Sequence, residues 1–122
     1  MKLEKNTWIF LSALLLLIVG SVYYYTRSAP LDNFAQCITD KGAKFYGAFW
    51  CPHCQNQKAL FGRSQKKLPY IECSTPSGNG VLDVCKQAKI EGYPTWEFAD
   101  KSRESGEISL SDLAKKTGCT LP

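Results

Sequence analysis

Trp50-Cys51-Pro52-His53-Cys54 stands where an apolar run, Lys44 to Trp50, gives way to a helical pattern. Two cysteines separated by Pro-His at a strand-to-helix turn predict a dithiol that opens and closes as a disulfide. With Cys51 at the helix start, unpaired N–H groups and the helix dipole stabilise its thiolate. That thiolate is the nucleophile of disulfide exchange, and Cys54, one turn on, resolves the mixed disulfide. Cys51 is therefore expected to be the exposed thiol of the two. The competing readings are a structural disulfide and half of a zinc site. Zinc needs a second pair at similarly short spacing, but Cys73 and Cys85 are far apart in sequence and His53 lies inside the first pair. No metal is expected.

Working outward, Leu31 to Lys41 reads as a helix with Leu31, Phe34, Ala35 and Ile38 on one side and Gly42 as its C-cap. Gly47 and Ala48, in the middle of the Lys44 to Trp50 strand, predict close packing there. Cys51 opens a helix to about Lys67, with Pro52 near its first position, where a missing N–H costs little. Gln57, Lys58, Lys66 and Lys67 are its expected wet positions. Leu68 to Cys73 is a second strand, and Ser74 to Gly80 is a loop by composition. Val81 to Ala88 is a short helix carrying Cys85. Gly92-Tyr93-Pro94-Thr95 turns into a strand ending near Phe98, and Glu104 to Ile108 is its partner. Ser109 caps a last helix, with Asp112 three residues on, and Gly118 stops it. This order predicts an α/β fold, a mixed sheet with a parallel start and an antiparallel finish.

The N-terminal part has a different character. Trp8 to Tyr25 is free of charge and centred on Leu14 to Val19. As a helix it spans about 27 Å, close to the ~30 Å hydrocarbon core of a bilayer. Trp8 and Tyr23-Tyr24-Tyr25 suit interfacial aromatic belts. The expected layout is a short cytoplasmic N-terminus at 1–6, a transmembrane anchor at 7–26, a linker at 27–30 and a folded domain at 31–122. Lys2 and Lys5 before the run, against Arg27 after it, put the N-terminus inside and the domain on the extracytoplasmic, periplasmic side of the cytoplasmic membrane. A cleavable signal peptide is the competing reading, disfavoured by the long apolar stretch and bulky tyrosines. Either reading exports the domain, which agrees with six cysteines in 122 residues. Without Lys2, Glu4, Lys5 and Arg27 there remain 12 basic and 10 acidic residues, and no basic block with interleaved aromatics, so no nucleic-acid partner is expected.

A Cys-x-x-Cys after a strand, opening a helix and followed by this element order, resembles the thioredoxin fold. Pro94 matches the cis proline that stands opposite the dithiol in that superfamily and lines its substrate groove with backbone. The match is closer still. Phe45 to Gln55, Gln57-Lys58, Leu60-Phe61-Gly62, Pro69 to Ser74, Gly92 to Trp96 and Ser109-Leu110 look like the thioredoxin-like domain fused to bacterial homologues of vitamin K epoxide reductase. The quinone-using multi-helix portion of those fusions is absent from this sequence. The resemblance therefore implies a stand-alone tethered domain reoxidised by a separate, quinone-dependent membrane oxidase of that type. The domain itself would need no cofactor beyond its own disulfide.

The resemblance also bears on site residues. Cys51 and Cys54 would be catalytic, supported by Trp50, Pro52, His53, Tyr93 and Pro94. An imidazole N–H near the Cys51 sulfur favours thiolate and makes the disulfide more oxidising, and Cys-Pro-His-Cys also occurs in DsbA-type periplasmic thiol oxidases. Reducing thioredoxins carry a buried acid six residues before the first cysteine, where this chain has Phe45. Cys73 and Cys85 bracket the Ser74 to Gly80 loop and match a joined pair in the fused relatives. The alternative is a second exchanging pair. Cys37 and Cys119 are left, and the simplest pairing joins the two ends of the domain, although the four cysteines permit three connectivities. Trp50, Tyr93 and Trp96 either line a groove for polypeptide or belong to the core. The function expected is transfer of disulfides to exported protein thiols. Its rivals are a reductase or isomerase of exported proteins and a non-catalytic module stapled by three disulfides.

Overall fold

The computed structural model describes residues 4–122. It begins with a long helix, α1 (Lys5–Thr26), whose apolar side chains lie exposed from Trp8 to Tyr25. By length and composition it is able to cross a membrane. At its end Arg63 Nη1 donates to the Tyr24 carbonyl at 2.8 Å and its guanidinium stands 4.6 Å from the Tyr24 ring centre. Backbone and side chain of Asp32 then tie the linker to the folded domain. The Ala29 N–H donates to Asp32 Oδ2 at 2.9 Å, and the Asp32 N–H returns to the Ala29 carbonyl at 3.0 Å.

The rest alternates helices and strands: α2 (Asp32–Asp40), β1 (Lys44–Gly47), α3 (Pro52–Ala59), β2 (Tyr70–Glu72), α4 (Asp83–Gln87), β3 (Thr95–Glu97), β4 (Arg103–Ser105) and α5 (Leu110–Thr117). The sheet order is β2-β1-β3-β4, with β1 parallel to β2 and the other neighbours antiparallel. This is the expected mixed α/β sheet flanked by helices. The crossover from β1 to β2 runs through α3, as a parallel pair requires. Phe45 and Trp96 face one another across β1 and β3 and stack with centroids 4.7 Å apart. Around them pack Phe34, Ile38, Phe61 and Leu113, all essentially buried. Burying large aromatic and aliphatic side chains at about 1.5–3 kcal/mol each is the main term holding so short a sheet together.

Several elements differ from their sequence reading. The first strand ends at Gly47, because Phe49 and Trp50 lie in the turn before α3 and about half their surface meets solvent. The helix opened by Cys51 is shorter than predicted. It stops at Ala59 and is followed by a 3-10 turn over Gly62–Lys67, which opens on Gly62 at φ +53°. A left-handed residue cannot continue an α-helix, and glycine adopts it at little cost. Gln57, read as a wet position, is fully buried. Its Nε2 donates to the Ile108 carbonyl at 3.0 Å and its Oε1 accepts from the Ile108 N–H at 2.7 Å. A buried amide with both ends satisfied stabilises the fold, whereas an apolar substitute would strand the Ile108 peptide. The two helix stops came out as read: Gly42 and Gly118 are both left-handed. So did the Ser109 cap, whose Oγ accepts from the Asp112 N–H at 3.1 Å.

Candidate active site

Cys51 is the N-cap residue of α3 and Pro52 fills its first turn. Cys51 therefore stands where the unpaired N–H groups of the first helical turn converge. Cys54 lies one turn in, on the face turned toward β1. Gly47 makes room for it. A Cβ at that position would stand 2.9 Å from Cys54 Sγ and 2.7 Å from Tyr70 Cε2. Both are closer than real Cβ contacts come, so the expected close packing at Gly47 is the seat of the second thiol.

Cys51 is 6 % exposed and Cys54 1 %. The expectation of an exposed Cys51 is corrected: it is the less covered of two covered thiols. The turn before β3 comes up against it, and its Sγ lies 3.8 Å from the Tyr93 carbonyl oxygen. The Tyr93–Pro94 bond is cis, and Pro94 is fully buried. Trp50 flanks the same turn, its ring edge-on to Tyr93 with centroids 6.0 Å apart. The indole N–H donates to Ser74 Oγ at 2.9 Å. Trp50 and Tyr93 thus border the dithiol, whereas Trp96 is wholly buried against Phe45 and belongs to the core.

Burial pushes the Cys54 thiol up to about 12, reinforced by its closeness to Cys51 and opposed by the Ala48 backbone and Lys58. It is a thiol at neutral pH. The pair is therefore asymmetric, with one sulfur at a helix N-terminus and the other held protonated beneath it.

His53 projects outward and is largely exposed. Its Nδ1 meets Glu107 Oε1 at 2.9 Å, and the same oxygen accepts from Asn56 Nδ2 at 3.0 Å. These contacts hold the Glu107 carboxyl below its usual range, His53 contributing most. Glu107 was missed by sequence reasoning because it lies 54 positions from His53. Nothing local marks it, apart from its place just ahead of Ile108, which Gln57 clamps.

The remaining cysteines pair among themselves. Cys37 of α2 is joined to Cys119 beyond α5, and Cys73 after β2 to Cys85 of α4. Cys51 and Cys54 are the two left as thiols. The Cys73–Cys85 link closes the Ser74 to Gly80 loop, where a Cβ built on Gly78 would stand 3.7 Å from Trp50 Cδ1 and 3.9 Å from Phe49 Cζ. The staple and the dithiol are therefore neighbours through one loop.

No protein-family model matches the chain. The chain is 48 % identical over 91 residues to the thiol-disulfide oxidoreductase LTO1 of Arabidopsis thaliana, an overlap of 71 % of this chain and 24 % of the plant protein. It thus spans about a quarter of that relative's length. It is also 24 % identical over 88 residues to the thioredoxin of Callithrix jacchus, covering 69 % of this chain and 84 % of the thioredoxin. With the sheet order, the cysteine pair at a helix start and the cis proline opposite, these similarities give the folded part of the chain a thioredoxin-like fold.

Proposed function

We propose that the protein is a membrane-anchored, extracytoplasmic thiol–disulfide oxidoreductase that passes disulfides to exported proteins. The observation that carries the reading is the asymmetric pair itself. Cys51 caps α3 beside the Tyr93 carbonyl, Cys54 is buried on Gly47, and the other four cysteines are engaged with each other.

In the oxidised protein a substrate thiolate attacks Cys51 Sγ. The Cys51–Cys54 bond breaks, a substrate–Cys51 disulfide forms, and Cys54 leaves with the electron pair and takes up a proton. A second substrate thiolate attacks the substrate sulfur of that bond and releases Cys51 as thiolate. The substrate departs oxidised and the dithiol is left reduced. Trp50 and Tyr93 flank the path of approach, and the backbone of the Tyr93–Pro94 turn offers hydrogen-bonding groups to an extended peptide.

Two features favour oxidation over reduction. His53 lies in the first turn of α3, where a positive charge would favour the reduced, thiolate form. Phe45 occupies the position at which reducing thioredoxins hold a buried acid. Reoxidation is assigned to a quinone-dependent membrane oxidase of the vitamin K epoxide reductase type. Support comes from the sequence resemblance and from a relative in which the matched segment is a quarter of a longer chain. Anchoring rests on α1, which exposes apolar side chains from Trp8 to Tyr25, and the outside location of the domain rests on Lys2 and Lys5 preceding that apolar run.

The test is a reduced model peptide with two cysteines, oxidised by the protein in stoichiometric amounts. Cys51→Ser is expected to abolish peptide oxidation, and a variant that retains the wild-type rate would sink the assignment.

A further inference from the structure

With phenylalanine at position 45, the buried Cys54 thiol lacks the acid that would take its proton from β1. The neighbouring strand supplies a different arrangement. Tyr70 of β2 pairs in register with Phe45 and turns its ring toward the spot above Gly47. A Cβ built on Gly47 would meet Cys54 Sγ at 2.9 Å and Tyr70 Oη at 3.3 Å, so sulfur and hydroxyl border the same point. The Tyr70 hydroxyl donates to Glu72 Oε2 at 2.8 Å. Its hydrogen is therefore committed to the carboxylate, and the lone pairs of its oxygen are free to accept. The other Glu72 oxygen, Oε1, is held by the Ser74 N–H at 2.9 Å and the Phe49 N–H at 3.2 Å. The carboxylate is fixed rather than floating. Lys58 Nζ stands 3.4 Å from the Tyr70 ring centre and closes the outer side.

We propose that Tyr70 and Glu72 form a proton relay for the resolving thiol, with Glu72 as the acceptor and the Tyr70 hydroxyl as the conduit. The inference rests on the reading of Cys51 as attacking and Cys54 as resolving thiol. When the reduced dithiol is reoxidised, Cys51 first forms a mixed disulfide with a partner disulfide. Cys54 Sγ then attacks Cys51 Sγ, the Cys51–partner bond breaks, and its electron pair leaves on the partner sulfur as thiolate. The Cys54 proton passes to Tyr70 Oη as the Tyr70 proton passes to Glu72 Oε2. Glu72 afterwards releases it to solvent. No further redox reagent is needed beyond the disulfide that is reduced.

The need for a relay comes from where the thiol sits. Burial holds Cys54 far above neutral pH, and burial followed by the Glu72 hydrogen bond raises the Tyr70 phenol as well. Neither group ionises alone, so a concerted transfer to a fixed carboxylate avoids forming a buried anion ahead of the sulfur attack. The charged and titratable groups facing Cys54 are Cys51 and Lys58 on α3, Tyr70 and Glu72 on β2, and Tyr93 on the turn before β3.

The test uses the reduced full-length protein in detergent with Ellman's reagent, whose aromatic disulfide gives two coloured releases. The first reports attack by Cys51 and the second reports resolution by Cys54. Tyr70→Phe keeps the ring that packs on Phe45 and Gly47, and Glu72→Gln keeps an oxygen for the two backbone N–H groups. Both are expected to leave the first phase unchanged and to slow the second about 100-fold near neutral pH, the lower end of what a positioned general base supplies. The deficit should shrink as pH rises and hydroxide replaces the relay. A second phase at the wild-type rate, or one slowed equally at every pH, would overturn the relay. Absence of two phases in the unaltered protein, or their persistence in Cys51→Ser, would instead overturn the underlying assignment of the two thiols.

Discussion

At the scale of single residues, the chemistry depends on two thiols that share a helix turn and little else. Cys51 receives the helix N-terminus, while Cys54 sits on Gly47 in a site that water does not reach. The consequence is a pH dependence with a definite sign. An ordinary thiol near 9.0 gains at most about another twofold in thiolate once the pH passes that value, whereas Cys54, pushed up to about 12, continues to ionise. In Cys51→Ser, where Cys54 is the free thiol, its reaction with iodoacetamide is therefore expected to keep rising about tenfold per pH unit beyond pH 9. A rate that levels off near pH 9 would contradict the buried placement. The cysteine pair and Pro94 were legible in the sequence because their meaning lies in neighbouring residues. Tyr70, Glu72 and Glu107 were not, because each acquires its role from a side chain brought up by a different element.

Elements carry the next layer. Helix α3 is fastened to the segment ahead of α5 at three points, Gln57 on Ile108 and both His53 and Asn56 on Glu107. The first fixes the helix and the other two put a carboxylate close to its N-terminal turn. An anion there opposes a thiolate at Cys51, so it makes the disulfide less oxidising. Glu107→Gln keeps hydrogen-bonding capacity and removes the charge. It is expected to raise the Cys51–Cys54 potential by roughly 10–30 mV, where ~30 mV is tenfold in the exchange constant. An unchanged or lower potential, measured against glutathione, would show that Glu107 only positions His53. The order of helices and strands was readable from apolar runs and turn residues, and the caps at Gly42, Ser109 and Gly118 from side-chain chemistry alone. The breaks were harder. Gly62 interrupts an otherwise unbroken helical pattern, and Gln57 reads as solvent-facing until its partner, Ile108, 51 residues later, is known.

Across the whole molecule, a small sheet is stapled at two ends. The Cys37–Cys119 bridge spans 82 residues and the Cys73–Cys85 bridge 12. Closing loops of these lengths contributes on the order of 4.5 and 3 kcal/mol in the chain-entropy treatment. For a domain of this size that is a large share of a total stability of about 5–15 kcal/mol. Replacing Cys37 and Cys119 together by alanine is expected to lower the thermal midpoint by well over about 10 °C. The variant should still exchange disulfides at low temperature, because the Cys51–Cys54 pair is carried by α3 and the bridge by α2 and the segment after α5. Loss of exchange in a variant that remains folded by circular dichroism would give that bridge a redox role instead. Six cysteines pointed from composition alone to disulfides or else a metal site, while the partners of Cys37 and Cys119 depended on how α2 and α5 come together.

Under the proposed function, one of the three cysteine pairs exchanges and two hold the fold. Equilibrating the protein in glutathione redox buffers, trapping thiols by alkylation and reading each cysteine by mass spectrometry separates the two kinds. Cys51 and Cys54 are expected to titrate together at a potential nearer about −120 mV than about −270 mV, with the other two bridges still closed. Three pairs opening together, or a Cys51–Cys54 pair that never closes in the most oxidising buffer, would contradict that division of labour.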